Sequence, residues 1–398
     1  MKILQINSVC GICSTGRICT DLADVLKKYG HECRIAYGRE DVPEKYNSIA
    51  YRIGSKTDVR LHALRARLFD SAGFGSKKAT ERLVEKIKAY DPDVIHLHNI
   101  HGYYLNIEIL FQYLAVANKP VIWTLHDCWA FTGHCAHFTL AGCERWQIGC
   151  YDCPQKKSYP SSILLDGSKQ NWKRKKNIFT SVRNMTFVTP SEWLAELVSE
   201  SFLGKYPVKV IPNGIDLEAF KPINSGFAEK YGLGDKKIVL GVASTWSERK
   251  GLRDFDRLSE ILSKDKYQIV LVGADDTQKK SISPDILCIG RTNSVSELAG
   301  IYTAADVYVN ATYEDNFPTT NIEALACGTP VVTYNTGGSP ESLTERCGRV
   351  VDNGDVCALA RQVEEICGAD VLTEKECRTR AAAYDKKKCF EKYIGLYT

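Results

Sequence analysis

Long hydrophobic runs, low-complexity tracts and a marked excess of charge are all absent from this chain. None of its 398 residues lies in an uninterrupted apolar stretch near the roughly 18 residues of a membrane span, so the sequence does not predict a membrane-spanning protein. The apolar start at residues 3–6 gives way to polar sequence too soon for a signal peptide, and we expect a cytoplasmic protein. A net charge of +4 is too small to favour nucleic acid as a partner.

The chain also lacks the glycine fingerprint of dinucleotide-binding enzymes. The loop at residues 10–17 follows the first predicted strand and opens the first predicted helix, but it does not match G-x-G-x-x-G, which argues against a nicotinamide enzyme. In this loop Gly16 allows backbone amides to come close to an anion, and Arg17 is placed to assist. For Arg17 a plain strand-to-helix turn is an equally good interpretation.

What is present is the composition of a soluble globular protein, with 44% hydrophobic and 25% charged residues. Short apolar runs alternate with amphipathic stretches, which predicts strands separated by helices and therefore parallel sheets. In the first half we predict strands at residues 3–6, 33–37, 94–97 and 121–124 and helices at 17–29, 79–90 and 105–117. After Pro207 the alternation starts again, with predicted strands at residues 208–211, 237–240, 267–272, 285–288, 307–309 and 331–333.

These patterns predict an α/β fold of two doubly wound, Rossmann-like domains that face each other across a cleft. The expected boundaries are residues 1–205 for the first domain, which carries a cysteine-rich insertion at 126–154, and 206–377 for the second. Residues 378–398 are expected to close the chain as a helix. The cleft is then the default active site.

The most informative segment surrounds two acids, Asp315 and Glu323, which are separated by the junction between a strand and a short helix. In such a βαβ unit, ligands lie beyond the carboxyl ends of the strands. The amides of Thr319 and Thr320 would lie near the helix start, where the helix dipole favours a phosphate. Glu323 is placed to accept hydrogen bonds from a ribose, and Asp315 from a sugar. The plainer alternative is that both acids only cap and solvate the helix start.

This segment resembles the donor-binding signature of the retaining glycosyltransferases of family 4, which have the two-domain GT-B fold and a last helix that crosses back to the first domain. Further matching motifs occur in the expected order along essentially the whole chain: Pro92-Asp93-Val94-Ile95-His96-Leu97-His98-Asn99, Thr124-Leu125-His126-Asp127, Val188-Thr189-Pro190-Ser191, Ile211-Pro212-Asn213-Gly214-Ile215-Asp216 and Lys250-Gly251. In this family the first acid holds the sugar, the second holds the ribose, and the lysine neutralises the diphosphate. The resemblance therefore implies these roles for Asp315, Glu323 and Lys250.

The full donor-binding set that the resemblance implies is Gly16, Arg17, Asn213, Arg249, Lys250, Asp315, Asn316, Phe317, Thr319, Thr320 and Glu323. The chain departs from the commonest pattern in three places. The first acid is Asp315, where glutamate is usual, and Thr245 stands where an arginine is usual, so that Arg249 is the candidate substitute. The loop after the first acid has Pro318, which has no amide to donate, where glycine is usual.

Two further positions carry histidines at the ends of predicted strands. His126 follows the strand at residues 121–125, and in the family a histidine here contacts the donor sugar and stabilises the transition state. The implied catalytic residues are therefore His126, Lys250 and Asp315. His96 and His98 are interpreted as pointing to opposite faces of a strand, with His98 on the acceptor side. A structural role is the alternative for each histidine.

The reaction that the resemblance implies is transfer of a hexose from a UDP- or GDP-sugar to a hydroxyl of a glycan or lipid-linked acceptor in polysaccharide biosynthesis, with anomeric configuration retained. Negative charge gathers on the leaving diphosphate, where Lys250, Arg249 and the helix start near Thr319 would stabilise it. No cofactor is then required for catalysis, whereas GT-A enzymes hold a metal with a D-x-D motif. The D-x-D strings at residues 91–93 and 254–256 lie in a turn and in a helical stretch rather than at a strand end.

Sixteen cysteines are spread through the predicted strands and helices, and most are expected to be reduced core residues. Within the insertion, Cys135 and Cys143 precede the C-x-x-C pair Cys150 and Cys153 at spacings that a loop can fold into a tetrahedral zinc site. Free cysteines in a packed loop are the equal alternative. A similar cysteine-rich block occurs in the bacterial exopolysaccharide branch of the family, of the colanic-acid type.

The stretch of residues 168–176 is the one strongly basic segment. Its basic residues are Lys169, Lys173, Arg174, Lys175 and Lys176. A solvated helix face is one interpretation. The other is peripheral contact with anionic lipid at the inner face of the membrane, which would suit a lipid-linked acceptor.

Two other functions fit parts of the sequence. A nucleotide-sugar 2-epimerase of the same fold would need carboxylates around the sugar but no acceptor pocket, and it alone would make a new nucleotide sugar from the donor. A non-catalytic zinc- or nucleic-acid-binding protein would bind nucleic acid in a salt-sensitive way and would tolerate Glu323→Ala.

Overall fold

The structure, a computed structural model, describes residues 1–368 and 372–397. The chain divides into two compact units: the first comprises Met1–Ile211 and the end of the last helix from Phe390 onward, and the second comprises Pro212–Cys389. Each unit is built on one parallel sheet. The predicted α/β architecture with two doubly wound sheets is therefore confirmed.

The first unit has a sheet of order β3-β2-β1-β4-β5-β6-β7. Its strands are β1 (Lys2–Asn7), β2 (Glu32–Tyr37), β3 (Ala50–Arg52), β4 (Val94–Leu97), β5 (Val121–Thr124), β6 (Met185–Thr189) and β7 (Val208–Val210). Its helices are α1 (Cys13–Lys28), α2 (Lys56–Phe69), α3 (Lys77–Tyr90), α4 (Ile107–Ala117), α5 (Ser168–Phe179) and α6 (Glu192–Glu200). The strand order reverses between β1 and β4, and the carboxyl ends of strands at such a switch point favour ligand binding.

The second unit has a sheet of order β10-β9-β8-β11-β12-β13. Its elements in chain order are α7 (Phe227–Lys230), β8 (Lys237–Val242), α8 (Leu252–Ile261), β9 (Tyr267–Val272), α9 (Asp276–Lys279), β10 (Leu287–Ile289), α10 (Val295–Ala304), β11 (Val307–Asn310), α11 (Thr319–Ala326), β12 (Val331–Tyr334), β13 (Gly348–Val351), α12 (Val356–Gly368) and α13 (Glu374–Ala381). The last helix, α14 (Lys386–Tyr397), begins in this unit and belongs to the first unit from Phe390 onward. The order reverses between β8 and β11, so the loops after these two strands form the corresponding switch point.

Both central strands of the first sheet are buried on both faces. Every residue of β4 and β5 is buried, as expected for parallel strands covered by helices. Trp123 of β5 packs against Phe111, Phe179 and Phe187, with ring centroids 5.5, 4.9 and 5.4 Å apart. Full burial of a large apolar side chain stabilises a fold by roughly 1.5–3 kcal/mol, so this cluster holds the strand ends firmly.

The predicted domain boundary after residue 205 lies too early. Residues 208–211 were expected to open the second domain, but β7 pairs with β6 through Phe187↔Val208 and belongs to the first sheet. The second unit begins at Pro212. A short apolar strand has no feature that tells which sheet it joins, because that depends on a pairing partner.

The closing segment, predicted as one helix over 378–398, is two helices, α13 and α14, separated at residues 382–385; Thr398 lies outside the described residues. The last turns of α14 pack in the first unit. There Tyr393 OH lies 3.1 Å from Thr124 Oγ1, and Tyr397 OH lies 2.7 Å from His96 Nδ1.

The segment between β5 and α5 has neither helix nor strand but is well packed. Phe138 and Trp146 stack with centroids 5.2 Å apart, and Phe131 lies 5.2 Å from Trp146. This segment contains the cysteine-rich insertion. Among the helices of the described residues, none combines the length and the apolar character required to cross a bilayer.

Candidate functional site

In the second unit the predicted site includes Gly251, a position where only glycine fits. Gly251 has a φ of +74°, and a Cβ there would lie 2.2 Å from the carbonyl oxygen of Ala311. The turn Glu248–Lys250 is thereby held against the loop that follows β11. In the Lys250-Gly251 motif, the backbone conformation thus requires the glycine, and the lysine supplies the charge.

Lys250 and Asp315, both predicted site residues, form an ion pair. Their Nζ and Oδ2 atoms are 2.6 Å apart, and the two side chains are 24% and 23% exposed. Arg249 supports the pair: its carbonyl accepts from Tyr313 N at 2.8 Å, and its Nη1 donates to the Glu314 carbonyl at 2.7 Å. The structure therefore brings Arg249, Lys250 and Asp315 together, with a partly exposed ammonium and carboxylate.

Helix α11 supplies the remaining groups. It starts at Thr319 after Pro318, which makes no side-chain capping bond, and Thr319 and Thr320 are both half-buried. One turn on, Glu323 accepts hydrogen bonds from Tyr302 OH and Thr319 Oγ1, each at 3.2 Å. A fixed carboxylate beside the positive end of a helix suits a ligand that carries both hydroxyls and phosphate.

Both acids follow β11 closely in the sequence: Asp315 lies in the loop after this strand and Glu323 in α11. The pKa of the buried Tyr308 on β11 is raised mainly by burial and further by the charges of Glu323 and Asp315. Both carboxylates therefore contribute negative charge near the end of β11.

Two predicted donor contacts lie inside the unit instead of at its surface. Phe317 is 4% exposed and packs on Tyr384 with ring centroids 5.6 Å apart. Asn316 is 5% exposed, and its carbonyl accepts from Gly338 N at 2.9 Å. Contrary to the prediction, both residues shape the loop from within, since burial of the aromatic ring is what anchors it.

In the first unit, three polar residues meet at the carboxyl ends of β1, β4 and β5. His98 Nε2 lies 3.0 Å from Gln5 Oε1, and His98 Nδ1 lies 3.2 Å from His126 Nε2. The Gln5 amide nitrogen donates to the Cys19 carbonyl, which fixes Oε1 as the acceptor towards His98. It follows that His98 Nε2 and His126 Nε2 carry the protons, and His126 Nδ1 is the basic nitrogen.

Burial keeps these histidines neutral. It lowers the pKa of His126 to about 4 and that of His98 well below its ordinary value, and His126 is still partly exposed. A neutral imidazole with a defined basic nitrogen is suited to accept a hydrogen bond from a hydroxyl. His126 lies just after β5, at the carboxyl end of the strand, and its contact with the donor sugar stays a prediction.

Two expectations about the neighbouring histidines are wrong. His98 is 1% exposed and supports His126 from behind instead of lining an acceptor pocket. The rings of His96 and His98 lie 4.1 Å apart on the same side, because residues two apart in an extended chain share a face.

A third polar group, which the sequence patterns did not predict, follows His126. His101 Nε2 lies 2.8 Å from Asp127 Oδ2, and His101 Nδ1 lies 3.2 Å from Tyr159 OH. Although burial raises the pKa of Asp127, the charge and hydrogen bond of His101 hold it well below its usual range. The signal was present in the sequence, since His101 and Asp127 each follow a predicted strand end by a few residues.

The remaining predicted donor residues are arranged differently from the expectation. Gly16 lies within the first turn of α1, not in the preceding loop, and it is buried. The left-handed glycine of that loop is Gly11, with a φ of +72°, whose amide donates to the Gly16 carbonyl at 2.9 Å. Arg17 is exposed, and Asn213 is half-buried in the segment that follows β7.

The basic stretch of α5 does not form one exposed surface. Lys175 is 1% exposed, and its Nζ donates to the carbonyls of Trp129 and Thr132 at 2.8 and 3.1 Å. Burial lowers its pKa to about 7. Arg174 forms an ion pair with Glu108 at 2.8 Å. The predicted membrane contact is therefore wrong for Lys175, because the helix turns it towards the core, whereas Arg174 is 33% exposed and its contact with lipid stays a prediction.

The four cysteines predicted to bind zinc line one small cavity. In the described part of the chain, no group of three or more His, Cys, Asp or Glu side chains is arranged so that it could hold a metal ion, and the predicted zinc site stays a prediction.

Family models match most of this sequence. The model of Glycosyltransferase Family 4 matches residues 15–219, and the model of glycosyl transferases group 1 matches residues 236–368. WcaC of Escherichia coli (strain K12), a protein named for glycosyl transfer in colanic acid biosynthesis, is 26% identical over 418 residues, covering 100% of this chain and 99% of WcaC.

Solved structures show the same fold. Sucrose-phosphate synthase (tll1590) from Thermosynechococcus elongatus has a TM-score of 0.70 at 17% identity and covers 100% of this chain and 98% of its own. Anabaena Alr3699/HepE in complex with UDP-glucose has a TM-score of 0.67 at 15% identity and covers 100% of this chain and 99% of its own.

Proposed function

The chain belongs to glycosyltransferase family 4, and we propose from this that it transfers a hexose from a nucleotide diphosphate sugar to a hydroxyl of a glycan or lipid-linked acceptor, with anomeric configuration retained. The pathway that we propose is polysaccharide biosynthesis, because WcaC, which matches over the whole chain, is named for colanic acid biosynthesis. The donor is a UDP- or GDP-sugar. UDP-glucose is the first to test, since Anabaena HepE binds it in the same fold.

The observation that carries this proposal is the group of charges at the end of β11. Lys250 and Asp315 form a partly exposed pair, and Glu323 is held by two hydroxyls beside the start of α11. In the proposed complex the ammonium of Lys250 and the amides of Thr319 and Thr320 bind the diphosphate. Glu323 accepts from the ribose, and Asp315 accepts from the sugar.

Stabilising the leaving group is the main chemical task in this proposal. Breakage of the bond to the sugar leaves negative charge on the diphosphate, while the sugar becomes oxocarbenium-like. Preorganised donors contribute to such a transition state because they need no reorientation as charge develops; loss of one typically costs about 100- to 1000-fold in kcat. The proposed mechanism requires no metal.

On the first unit, His126 is the residue that we assign to the donor sugar. Its Nε2 proton is directed to His98, so Nδ1 is the nitrogen that would accept a sugar hydroxyl. The pair of His101 and Asp127 has the composition of a general base and its orienting carboxylate, at 2.8 Å. We assign this pair to the acceptor hydroxyl.

We also propose that the first unit contacts the membrane, through a surface different from the predicted one. Six exposed apolar side chains form this apolar surface: Leu61, Leu64, Phe69, Ile163, Leu164 and Leu165. The two segments are joined, because Ile163 N donates to the Arg67 carbonyl at 2.7 Å. Exposed Arg60 and Arg65 lie in α2 and exposed Lys169 lies at the start of α5, and basic residues beside apolar ones favour an anionic bilayer.

Product analysis tests the proposed function. The purified protein is incubated with UDP-glucose and with GDP-mannose, each with and without a glycan or lipid-linked acceptor, and products are identified by mass spectrometry and NMR. We expect a new glycoside only with acceptor, in the same anomeric configuration as the donor. A new nucleotide sugar formed from donor alone would instead establish the epimerase, and an inverted product would contradict retention.

A further inference from the structure

The cysteine-rich insertion of the first unit encloses a small cavity away from the residues described above. Its lining includes Cys135, Cys143, Cys150, Cys153 and His134, and its volume is about 10 Å³. This is the volume of about one water-sized sphere, so a single atom or ion fills it. Cys135 and Cys150 are buried at 6% and 8% exposure, and the other two cysteines are half-buried.

Two contacts in this cavity favour the sulfur atoms as metal ligands. The thiols of Cys135 and Cys153 are close enough to hydrogen-bond to one another, although 17 residues separate them in the sequence. The amide of Gly133 donates to Cys150 Sγ at 3.1 Å, and amide donors of this kind stabilise a thiolate. Cys150 and Cys153 form a C-x-x-C pair, the commonest local element of structural zinc sites.

His134 also lines this cavity, and the proposal places it beside the ion and not among its ligands. Its side chain is fully buried, and its Nδ1 lies 2.6 Å from Asp70 Oδ1. Asp70 is itself held, since its Oδ2 accepts from Gly167 N at 2.8 Å. The other ring nitrogen, Nε2, is buried without a hydrogen-bond partner among the described residues. A buried polar atom left in this way is costly, which indicates that packing alone does not complete the site.

We propose that this cavity binds one Zn²⁺ through the thiolates of Cys135, Cys143, Cys150 and Cys153. Four thiolates in a closed tetrahedral set are typical of structural zinc, at Zn–S distances of about 2.3 Å. All four side chains line one cavity, and in the proposed complex they turn towards a common point between them. Each thiol loses its proton on binding, and the four protons pass to solvent.

The proposed ion has a structural task. The insertion has no helix or strand, and its first residues are His126 and Asp127, which belong to the candidate site. A metal that joins four points of this segment stabilises it, because metal binding free energy is added to the folding free energy. The zinc proposal is independent of glycosyl transfer, since its readout is metal content.

Metal analysis of the full chain tests the proposal. The protein is purified with a reductant and without a chelator, and zinc is measured by elemental mass spectrometry. We expect one zinc per chain, and X-ray absorption at the zinc edge should show four sulfur ligands. Less than a tenth of an equivalent, both as purified and after refolding with zinc, would overturn the proposal, as would a nitrogen or oxygen in the first coordination shell.

Matched cysteine variants identify the ligands. Cys143→Ser and Cys153→Ser should each lose the bound zinc, whereas Cys128→Ser, also in the insertion but outside the cavity lining, should keep it. If the ligand variants do not fold, titration of the unaltered protein with a mercurial gives the same information: zinc should be released as four thiols react. A Cys135–Cys153 disulfide found in protein purified under reducing conditions would contradict the proposal.

Discussion

At the scale of single residues, the donor site depends on charges whose loss should leave the fold intact. The pair of Lys250 and Asp315 is about a quarter exposed, and ion pairs of this kind contribute only about 0–1 kcal/mol to stability. We therefore predict that Lys250→Ala and Glu323→Ala each lower kcat at least about 100-fold, the usual cost of removing a preorganised donor or a binding carboxylate. Steady-state kinetics measures the loss, and the melting temperature reports the fold.

Lys264→Ala is the matched control for this prediction. Lys264 also forms an ion pair with an aspartate of the second unit, Asp285, but both side chains are on the open surface. Its replacement should leave turnover unchanged. Near-normal turnover in both Lys250→Ala and Glu323→Ala would exclude the proposed donor site.

A second residue-scale prediction concerns pH and His62. This side chain is 2% exposed; its Nε2 accepts from Gly75 N at 3.1 Å, and burial lowers its pKa to about 4. Below the unfolded pKa of about 6.5 the unfolded chain binds a proton that the folded chain does not, so stability falls as the pH is lowered from 6.5 to 4, by roughly 3 kcal/mol from this group.

Urea unfolding at pH 7 and pH 4.5 measures this effect. His62→Gln should be less stable than the unaltered protein at pH 7 but should lose less stability between the two pH values. His31→Gln, at a partly exposed position, is the control and should keep the original pH dependence. An equal loss in His62→Gln and in the unaltered protein would show that His62 is not responsible.

At the scale of elements, the arrangement of α2 is the unexpected feature. It begins with a complete capping box between Ser55 and Asp58, which satisfies amides at its N-terminus. Its outward face carries Leu61 and Leu64, 60% and 55% exposed, between arginines. An exposed apolar helix face marks a site of contact with a protein or a membrane. The basic residues beside it favour a membrane that contains anionic lipid.

We predict that this apolar surface binds vesicles that contain anionic lipid. Co-sedimentation with vesicles of phosphatidylglycerol and phosphatidylcholine should capture the unaltered protein and should lose most of it after the double substitution Leu61→Glu and Leu64→Glu. Val116→Glu changes another exposed apolar residue of the same unit and should have no effect. Binding that is equal for all three proteins would place the contact elsewhere.

The elements themselves were largely predictable, with informative exceptions. Strands β3 and β13 were missed: β3 is a half-buried strand of three residues, and β13 is Gly-Arg-Val-Val, so neither has a run of apolar residues. β6 was missed because Thr186 interrupts its apolar residues. A long buried strand such as β9 can be predicted from its apolar composition alone. A short strand depends on a neighbouring strand to complete its hydrogen bonds, so its own residues do not predict it.

At the scale of the whole molecule, the donor should stabilise the folded chain. Binding to the folded state alone adds RT ln(1 + [L]/Kd), or about 2.7 kcal/mol at a hundred times Kd. We predict that one or two members of a panel of UDP-, GDP-, ADP- and dTDP-sugars raise the melting temperature, and that the corresponding nucleoside diphosphate does so as well, since the diphosphate is proposed to make the main charged contacts.

Lys250→Ala provides the control for this panel. It should abolish the shift caused by the diphosphate while the melting temperature without ligand stays within the range expected for an exposed ion pair. No shift with any nucleotide sugar at millimolar concentration would contradict a donor site in this protein.

The sequence by itself determined the fold class, the alternation of strands and helices, and the identity of the charged residues around β11. These follow from local rules: apolar runs make buried strands, glycine allows left-handed turns, and a strand-to-helix junction exposes amides. The roles of the residues at 250–251 and 315–323 came from the resemblance of these motifs to a family, and they stay predictions.

Only the tertiary structure decided which side chains meet. Gln5, His98 and His126 come from three strands that are far apart in the sequence, and their contact depends on the register of β1, β4 and β5. The same holds for Lys175, whose helix turns it inward, and for His134, which meets Asp70 across 64 residues. Sequence patterns record which face of an element is apolar, but contacts between elements are set by packing, in which every residue of the core takes part.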